Sequence, residues 1–349
     1  MTMTVFASPP LPGAARGEHL GASLRGEIQA TLESYLRMFA AYGLDSRLVR
    51  DVGLRTLDEA AAWAPGLAEE VTGVAKGAAL EPWQAAALNA RSEVLAHARM
   101  PLPGECSTAV HVPPGGPPRT IQTWDWYDSL ADVKLIWQAG AVKTFTEYGV
   151  LGKIGVNGAG IGLHFNLLQH EADGQRDGVP VHLVARRILE EATTLDEAEE
   201  IARSARVSAS VALTVVSRWG ARALELSPAG FARVARRTDG MVLHTNHFLD
   251  PGLARGERLG AADPDTYARH DSLVRRAPGL RAPGLAERAA ALIEHREDGA
   301  ALCCHPEEGA PPQERWQTLL VIGLGVERGT ITFHDGSPCT ATGDGWIRV

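Results

Sequence analysis

The chain has 349 residues, of which 45% are hydrophobic and 22% charged, a balance typical of a soluble protein with a sizeable core and unlike disordered or fibrous chains. Its 34 Lys and Arg stand against 42 Asp and Glu, a net charge of −8 without a basic stripe, so we expect no nucleic-acid partner. Four cysteines in a chain of this length are too few for a disulfide scaffold.

The apolar runs and the start of the chain predict a cytoplasmic protein without a membrane partner. The run from Leu319 to Val326 is far shorter than the roughly 20 residues that a membrane span needs. Residues Met1 to Arg16 lack the basic start and long apolar stretch of a secretory signal. We therefore expect a cytoplasmic location.

The first third of the chain is predicted to be helical. Residues 7–15 are rich in Pro and small side chains, so order should begin near Gly17. From Gly26 to about Met100, apolar residues recur at intervals of three and four, which is the helical period. This segment should therefore form a set of amphipathic helices.

Two identical four-letter runs, Thr56 to Glu59 and Thr194 to Glu197, have the sequence of a capping box. In this motif the Thr hydroxyl and the Glu carboxylate satisfy backbone amides of the first helical turn. Both runs are therefore expected to begin helices.

After Pro103-Gly104 the pattern changes to short runs rich in Val, Ile and Thr, which predict the strands of a mostly antiparallel sheet system. These runs are Thr120 to Trp126, Val142 to Val156, Gly160 to Leu167, Val211 to Val216, Ala223 to Leu226, Thr318 to Gly325 and Thr330 to His334. Helical patterns at Val181 to Ala192, Leu195 to Ala205, Tyr267 to Arg276 and Leu285 to His295 interrupt the strands without alternating with them one for one. The chain is thus expected to have a layered α+β fold.

Cys106 stands at the start of the first strand-like segment, directly after a stretch that cannot continue a helix. If the bond between Glu105 and Cys106 opens, Cys106 gains a free α-amine beside its thiol. An α-amine with a pKa of about 7.7 to 8.0 can take the proton of a thiol whose pKa is about 8.5. Cys106 would then carry both a nucleophile and its base.

Several blocks resemble the acyl-coenzyme A:6-aminopenicillanic acid acyltransferase family, the isopenicillin N acyltransferase-like proteins, which are self-processing N-terminal-nucleophile (Ntn) hydrolases. The likeness runs from about Gly17 to His334. The blocks are Glu70 to Gly77, Leu88 to Glu93, Cys106 to Ala109, Trp124-Asp125, Gly152 to Asn157 and His244 to His247.

This resemblance implies roles for individual residues. Cys106 matches the family's nucleophile, and Asn246 matches the side chain that forms an oxyanion hole with the backbone amide at the position of Asp125. Asp125 and Arg315 match an acid and an arginine of the family's active site, where a charge pair can orient the nucleophile and assist cleavage of the precursor. Preorganised donors of the oxyanion-hole kind stabilise the charge that develops on an attacked carbonyl oxygen.

The resemblance also implies a four-layer αββα Ntn-hydrolase sandwich built as one composite domain. Cleavage between Glu105 and Cys106 would leave residues 1–105 as a small helical chain and residues 106–349 as the large catalytic chain. We expect the two products to stay associated.

The expected function is a self-processing amidohydrolase that cleaves a small N-acyl amine through an acyl-enzyme on Cys106. One alternative is an acyl-coenzyme A-dependent N-acyltransferase acting on a β-lactam or another amine, and a second is a non-catalytic binding protein on the same scaffold. A third is a conventional thiol hydrolase in which uncut Cys106 works with His111 or His247. In each enzymatic reading the partner is a small-molecule amide or acyl donor.

His111, His164, His170 and His305 raise the question of a metal, because His with Cys or carboxylates can bind zinc. Neither an HExxH motif nor paired CxxC spacing occurs, and the adjacent Cys303 and Cys304 do not supply it. We therefore expect no metal and no cofactor.

Overall fold

A computed structural model describes residues 3–98, 106–310, 315–341, 343 and 345–349. Strands in these ranges form an eight-stranded sheet in the order β1-β4-β5-β6-β7-β8-β9-β10 and a six-stranded sheet in the order β11-β2-β3-β12-β13-β14. The strands are β1 (Thr4–Ser8), β2 (Ser107–His111), β3 (Arg119–Tyr127), β4 (Lys134–Ala139), β5 (Val142–Glu147), β6 (Ile154–Val156), β7 (Ile161–Leu167), β8 (Val211–Ser217), β9 (Gly220–Ser227), β10 (Gly230–Val234), β11 (Met241–His244), β12 (Trp316–Gly325), β13 (Thr330–His334) and β14 (Ile347–Arg348).

Helices fill the first third of the chain and recur in two later groups. Those of the first third are α1 (Gly13–Ser23), α2 (Arg25–Ala41), α3 (Ser46–Trp63), α4 (Pro65–Ala78), α5 (Pro82–Asn89) and α6 (Arg91–Leu95). The later ones are α7 (Val181–Glu191), α8 (Leu195–Ser204), α9 (Leu259–Ala262), α10 (Asp265–Arg275), α11 (Ala277–Leu280) and α12 (Leu285–Ala290).

The two sheets pack face to face, with helices on both outer faces. Strand β2 contacts β7, and β11 contacts β8 and β9 across the interface. Helices α7 and α8 cover the eight-stranded sheet, and α10, α11 and α12 cover the six-stranded one. Because both faces of the sheets are covered, every residue of β8 is buried, which explains why its sequence is a continuous apolar run. The expected four-layer αββα sandwich is confirmed.

The helices of the first third pack closely, and glycines make this possible. A Cβ added at Gly17 of α1 would lie 2.1 Å from the Glu70 carbonyl oxygen, and one added at Gly77 of α4 would lie 2.1 Å from that of Glu18. Two helix backbones approach so closely only where a side chain is missing. The glycines near Glu70 to Gly77 are therefore packing residues.

Several details differ from the sequence expectations: the run from Val142 to Val156 forms two strands, β5 and β6, and strands such as β4 and β10 were not predicted. Order begins before Gly17, because residues 4–8 form β1, which pairs in parallel with β4, and α1 begins at Gly13. Thr194 caps α8, accepting a hydrogen bond from the Glu197 amide at 3.1 Å. Thr56 instead lies inside α3, where its hydroxyl donates to the Val52 carbonyl, since Asp45 caps that helix.

Among the helices of the described residues, none is both long enough and apolar enough to span a lipid bilayer.

Candidate active site

Cys106 lies directly before β2, a strand between β11 and β3 in the six-stranded sheet. The residue is buried, and its Sγ lies 3.9 Å from the Asp125 carbonyl oxygen on β3. The structure therefore brings together Cys106 and Asp125, two of the residues that the resemblance pointed to; their roles stay predictions. Glu105, the other residue of the predicted cleavage site, lies outside the described residues.

Two buried side chains hold the carbonyl oxygen of Cys106. Asn166 of β7 donates to it from Nδ2 at 2.9 Å, and Arg269 of α10 donates from Nη1 at 3.2 Å. The Oδ1 of Asn166 is in turn fixed by the Thr108 hydroxyl at 2.7 Å. Contacts from the opposite sheet and from a covering helix thus immobilise the backbone of Cys106 on its C-terminal side.

Asn246 follows β11 and is fully buried. Its Oδ1 accepts from both Nη atoms of Arg269 at 3.2 Å, and its Nδ2 donates to the Leu167 carbonyl at 2.9 Å. The backbone amide of Asn246 donates to the Thr266 hydroxyl at 2.9 Å. Because a primary amide carries two N–H groups, the bond to Leu167 leaves Nδ2 with a second donor.

Arg269 connects these groups and is itself fully buried. Its Nε donates to Asp265 Oδ2 at 2.9 Å, and its Nη1 also lies 3.2 Å from the Ser107 hydroxyl. A guanidinium offers five donors in a planar fork, which suits a site where several acceptors converge. Arg269 is the arginine that the structure places against Cys106 and Asn246.

Arg315, the arginine that the resemblance pointed to, lies just before β12 and forms an ion pair with Asp128 at 2.5 Å. Both side chains are partly exposed, at 33% and 22% of their surface. Asp128 follows β3, three residues beyond Asp125. The structure thus shows Arg315 paired at the end of this strand, and a role for it in the reaction stays a prediction.

Burial controls the electrostatics of the thiol. It raises the pKa of Cys106 to about 12, with a further increase from the charge of Asp125, while Lys153 and Arg269 act in the opposite direction. Burial also lowers the pKa of Lys153 to about 7, against the attraction of Glu147. The Lys153 Nζ lies 4.1 Å from the centre of the Trp124 ring and 3.3 Å from Glu147 Oε2. In this state the thiol is protonated at neutral pH.

The two histidines considered as bases for an uncut thiol, His111 and His247, are not shown in contact with Cys106 in the part of the chain that the structure describes. His111 ends β2, five residues beyond Cys106, and at about 3.3 Å per residue it lies about 16 Å along the strand from it. The ring of His247 faces Thr245 and Thr266, with Nδ1 3.2 and 3.1 Å from their hydroxyls. Burial lowers the pKa of His247 to about 3, so it is neutral there.

Asn166 and Arg269 were missed as site residues by the sequence reasoning. Asn166 and His164 are the polar residues of an otherwise apolar strand, and a side-chain amide in a predicted core strand is the signal that could have found Asn166. Arg269 shares the buried face of α10 with Thr266, Ser272 and Leu273, a face too polar to stand out in the sequence as a core stripe.

The structure also brings together four metal-ligand side chains, of which His305 and Cys303 were considered from the sequence, although not as members of one set. His295, Cys303, His305 and Cys339 place one ligand atom each within 4.8 Å of all the others. Three come from the segment after α12 and the fourth from the turn after β13, so the set has no contiguous motif spacing. The expectation of no metal was based on motif spacing. Spacing in the sequence cannot detect a set of ligands that only the fold brings together.

Comparisons with known proteins extend this description. The chain is 29% identical over 314 residues to the acyl-coenzyme A:6-aminopenicillanic-acid-acyltransferase 40 kDa form of Emericella nidulans, covering 88% of this chain and 85% of that protein. Among solved structures, penicillin V acylase from Agrobacterium tumefaciens has a TM-score of 0.39 at 14% identity, covering 66% of this chain and 83% of that one. A mutant of conjugated bile acid hydrolase from Clostridium perfringens has a TM-score of 0.40 at 12% identity, covering 66% and 89%.

One family description, acyl-coenzyme A:6-aminopenicillanic acid acyl-transferase, matches residues 117–338, which is well over half of the 349 residues. The match includes Asp125, Asn166, Asn246, Arg269 and Arg315, whereas Cys106 lies shortly before its first residue. The resemblance seen in the sequence is thus confirmed, and the chain belongs to the acyl-coenzyme A:6-aminopenicillanic acid acyltransferase family.

Proposed function

We propose that the chain is a self-processing N-terminal-cysteine amidohydrolase that cleaves a small N-acyl amine through an acyl-enzyme on Cys106. The observation that carries the proposal is the placement of Cys106 directly before a central strand, with its carbonyl held by Asn166 and Arg269 and its thiol beside Asp125. Family membership makes the chain an enzyme of amide-bond acyl chemistry. The cysteine mechanism and the substrate are the proposal.

In the self-cleavage step, Cys106 Sγ attacks the carbonyl carbon of Glu105 and the thiol proton leaves. The bond from that carbon to the Cys106 nitrogen then breaks, and the nitrogen takes a proton to become a free amine. Water hydrolyses the resulting thioester, which gives the Glu105 carboxylate and restores the thiol. The positive charge of Arg269, and that of Lys153 when it is protonated, favours the thiolate needed for the attack.

After cleavage, the α-amine of Cys106 is the base that the buried thiol lacks in the uncut chain. The bonds from Asn166 and Arg269 to the Cys106 carbonyl do not involve the cleaved bond, so they can keep the new N-terminal residue in place. In turnover the thiolate attacks the substrate carbonyl, the amine product leaves with a proton, and water releases the acyl group.

The oxyanion of each tetrahedral intermediate needs donors near Cys106. The second N–H of Asn246 Nδ2 is one candidate, since Arg269 fixes the orientation of this amide. The backbone amide of Asp125 is the other. An extended residue directs its N–H and C=O to the same side, and the C=O of Asp125 faces the Cys106 thiol. Two such donors form an oxyanion hole.

We further propose that the two cleavage products stay associated, because buried ion pairs join them. Arg91 lies 2.5 Å from Glu147, and both side chains are almost fully buried. Glu93 accepts from the Val181 amide at 2.8 Å, and Asn89 accepts from the Leu151 amide at 2.9 Å. Separating the pieces would exchange these bonds for bonds to water, so each contributes about 0.5–1.5 kcal/mol to the association between neutral groups and about 1.5–3 kcal/mol where a charged group takes part.

An N-acyltransferase is the second candidate, supported by the family description and by the name of the Emericella nidulans relative. The two reactions share the acyl-enzyme and differ in what attacks it, so product analysis distinguishes them. Matured protein given an N-acyl amine with and without a second amine should release free acid in both cases if it is a hydrolase. An N-acylated second amine as the main product would favour transfer.

The central test is the intact mass of the purified protein under denaturing conditions. We expect two pieces of 105 and 244 residues (349 − 105 = 244), the larger beginning at Cys106. Cys106→Ala should remain one chain, whereas Cys304→Ala, which replaces another buried cysteine, should still be cut. A fully active chain still joined at Glu105 would sink the self-processing proposal, and a chain that stays whole and inactive would favour a binding protein.

A further inference from the structure

We propose that His295, Cys303, His305 and Cys339 form a structural zinc site, separate from the Cys106 site. The four residues provide two thiols and two imidazoles, a ligand set typical of closed, four-coordinate Zn²⁺. Two thiolates also neutralise the charge of the cation, so the occupied site would carry no net charge. Cys303 is buried, His295 and Cys339 are partly buried, and His305 is exposed.

The distances within the cluster fit a tetrahedral site. Zinc bonds of about 2.3 Å to sulfur and 2.0–2.1 Å to nitrogen place sulfur and nitrogen ligands about 3.5 Å apart at tetrahedral angles. Here His305 Nε2 lies 3.3 Å from Cys303 Sγ and 3.4 Å from Cys339 Sγ. Since all four ligand atoms lie within 4.8 Å of one another, a cation could bind with only small side-chain movements.

Backbone contacts hold the ligands in position without the cation. The Cys303 amide donates to the Glu294 carbonyl at 2.9 Å, which closes the loop that carries His295. Asp298 Oδ2 accepts from the His295 amide at 3.2 Å and lies 3.6 Å from the Nδ1 of its ring. A carboxylate beside a histidine ring is a common outer partner of zinc-bound histidines. Contacts that do not depend on a cation therefore hold two of the four ligands, Cys303 and His295, in position.

The site would join two parts of the chain that meet only in the fold. Residues 295–305 follow α12, whereas Cys339 lies in a 3₁₀ turn after β13. The same loop reaches the active site through Asp265, which accepts from the Ala301 amide at 3.3 Å and from Arg269 at 2.9 Å. Zinc would therefore stabilise the loop that holds the partner of Arg269, without touching substrate.

The first measurement is the zinc content of full-length protein purified without chelators under reducing conditions. We expect one Zn²⁺ per chain, and its loss in Cys303→Ala and in Cys339→Ala. Cys304→Ala is the matched control, because it removes the neighbouring buried cysteine and should keep the metal. Cys106→Ala should also keep it, which makes the result independent of catalysis and of self-cleavage.

A second measurement covers the case in which the ligand variants do not fold. Metal-free wild-type protein is titrated with Co²⁺, which should produce the thiolate-to-metal charge-transfer bands of a tetrahedral site, and added Zn²⁺ should remove them. Zn²⁺ should also protect Cys303 and Cys339, but not Cys304, from alkylation mapped by mass spectrometry. Folded wild-type protein with free thiols that binds neither metal would overturn the proposal, as would a Cys303–Cys339 disulfide or equal metal loss in Cys304→Ala.

Discussion

Replacing Asn246 by Ala and by Asp separates its proposed catalytic donor from its packing role. Both substitutions remove the Nδ2 donor, so both should lower kcat by about 10²–10³, the loss measured for one oxyanion-hole donor, which is about 2.7–4 kcal/mol. Only Ala also removes the Oδ1 that accepts two bonds from buried Arg269. Both variants lose the bond to the Leu167 carbonyl.

The stability difference follows from these contacts. A hydrogen bond to a charged group contributes about 1.5–3 kcal/mol. Two facts make the stability difference between the variants smaller than this. Arg269 retains its hydrogen bonds to Asp265 and to the Cys106 carbonyl in both variants, and in Asn246→Asp a carboxylate oxygen would face the Leu167 carbonyl oxygen and be repelled by it. We therefore expect Asn246→Asp to unfold with a free energy about 1–2 kcal/mol higher than Asn246→Ala, at the same loss of turnover.

The assay combines urea unfolding with turnover of an N-acyl amine selected from a screen that also includes β-lactams and acyl thioesters. Asn157→Ala is the matched control, because Asn157 is also buried and bonded on both sides: it donates to the Ala192 carbonyl and accepts from two amides. That variant should lose stability and retain kcat. Near-normal turnover of Asn246→Asp would refute the donor role, and equal stability of the Ala and Asp variants would refute the role assigned to Arg269.

Two further predictions concern protons. If the Cys106 α-amine is the base, kcat/KM of the matured enzyme should rise with pH, with an apparent pKa below the free thiol value of about 8.5. This rise should persist in His111→Ala and in His247→Ala. If either variant is folded and cut but cannot be acylated, the result would favour a Cys-His mechanism. Burial lowers the pKa of His164 from 6.5 to about 3, so unfolding takes up a proton between these values and the histidine destabilises the fold as pH falls through that window. The unfolding free energy of His164→Gln minus that of wild type should therefore increase by about 2 kcal/mol between pH 7 and pH 5, at 1.36 kcal/mol per pKa unit. Urea unfolding at both pH values measures this difference, and a difference that does not change with pH would contradict the reasoning.

The fold could be predicted where local pattern and tertiary packing agree. The Val-rich run of β8 is buried on both faces, and the helical period of α7 matches its buried stripe, so both were found with nearly correct ends. Strand β1 was missed because its five residues have no partner nearby in the sequence; only the distant β4 makes them a strand. Proline-rich residues beside it favoured a loose segment instead.

Identical local sequences also gave different results. Thr194 caps α8, because the chain before it is extended, whereas the same four letters at Thr56 lie within a helix that begins ten residues earlier, at Ser46. A capping box can act only where the preceding residue leaves the helix, and the four letters do not determine this. Longer-range helical periodicity was the information needed.

Within the candidate site, sequence resemblance pointed to Cys106, Asp125 and Asn246, which the fold places around one buried region. It could not identify Arg269, because a charged residue on the buried stripe of a helix becomes meaningful only when that helix is seen to cover β2. The proposed zinc ligands could not be identified from the sequence for a similar reason. Cys303 and Cys339 are far apart in the sequence, and the fold places both beside His305.

The position of strand β1 affects how the protein could recover from unfolding after self-cleavage. It is the edge strand of the larger sheet, and it belongs to the piece that self-cleavage would detach in sequence. Refolding of an uncut chain involves one molecule, whereas refolding of a cut one requires the two pieces to associate. Recovery of the cut protein would therefore depend on its concentration. Loss of the small piece would also leave the backbone groups of β4 open to pairing with other molecules. Self-cleavage would thus make recovery from complete unfolding depend on the protein concentration, and in dilute solution the two pieces would rarely reassemble.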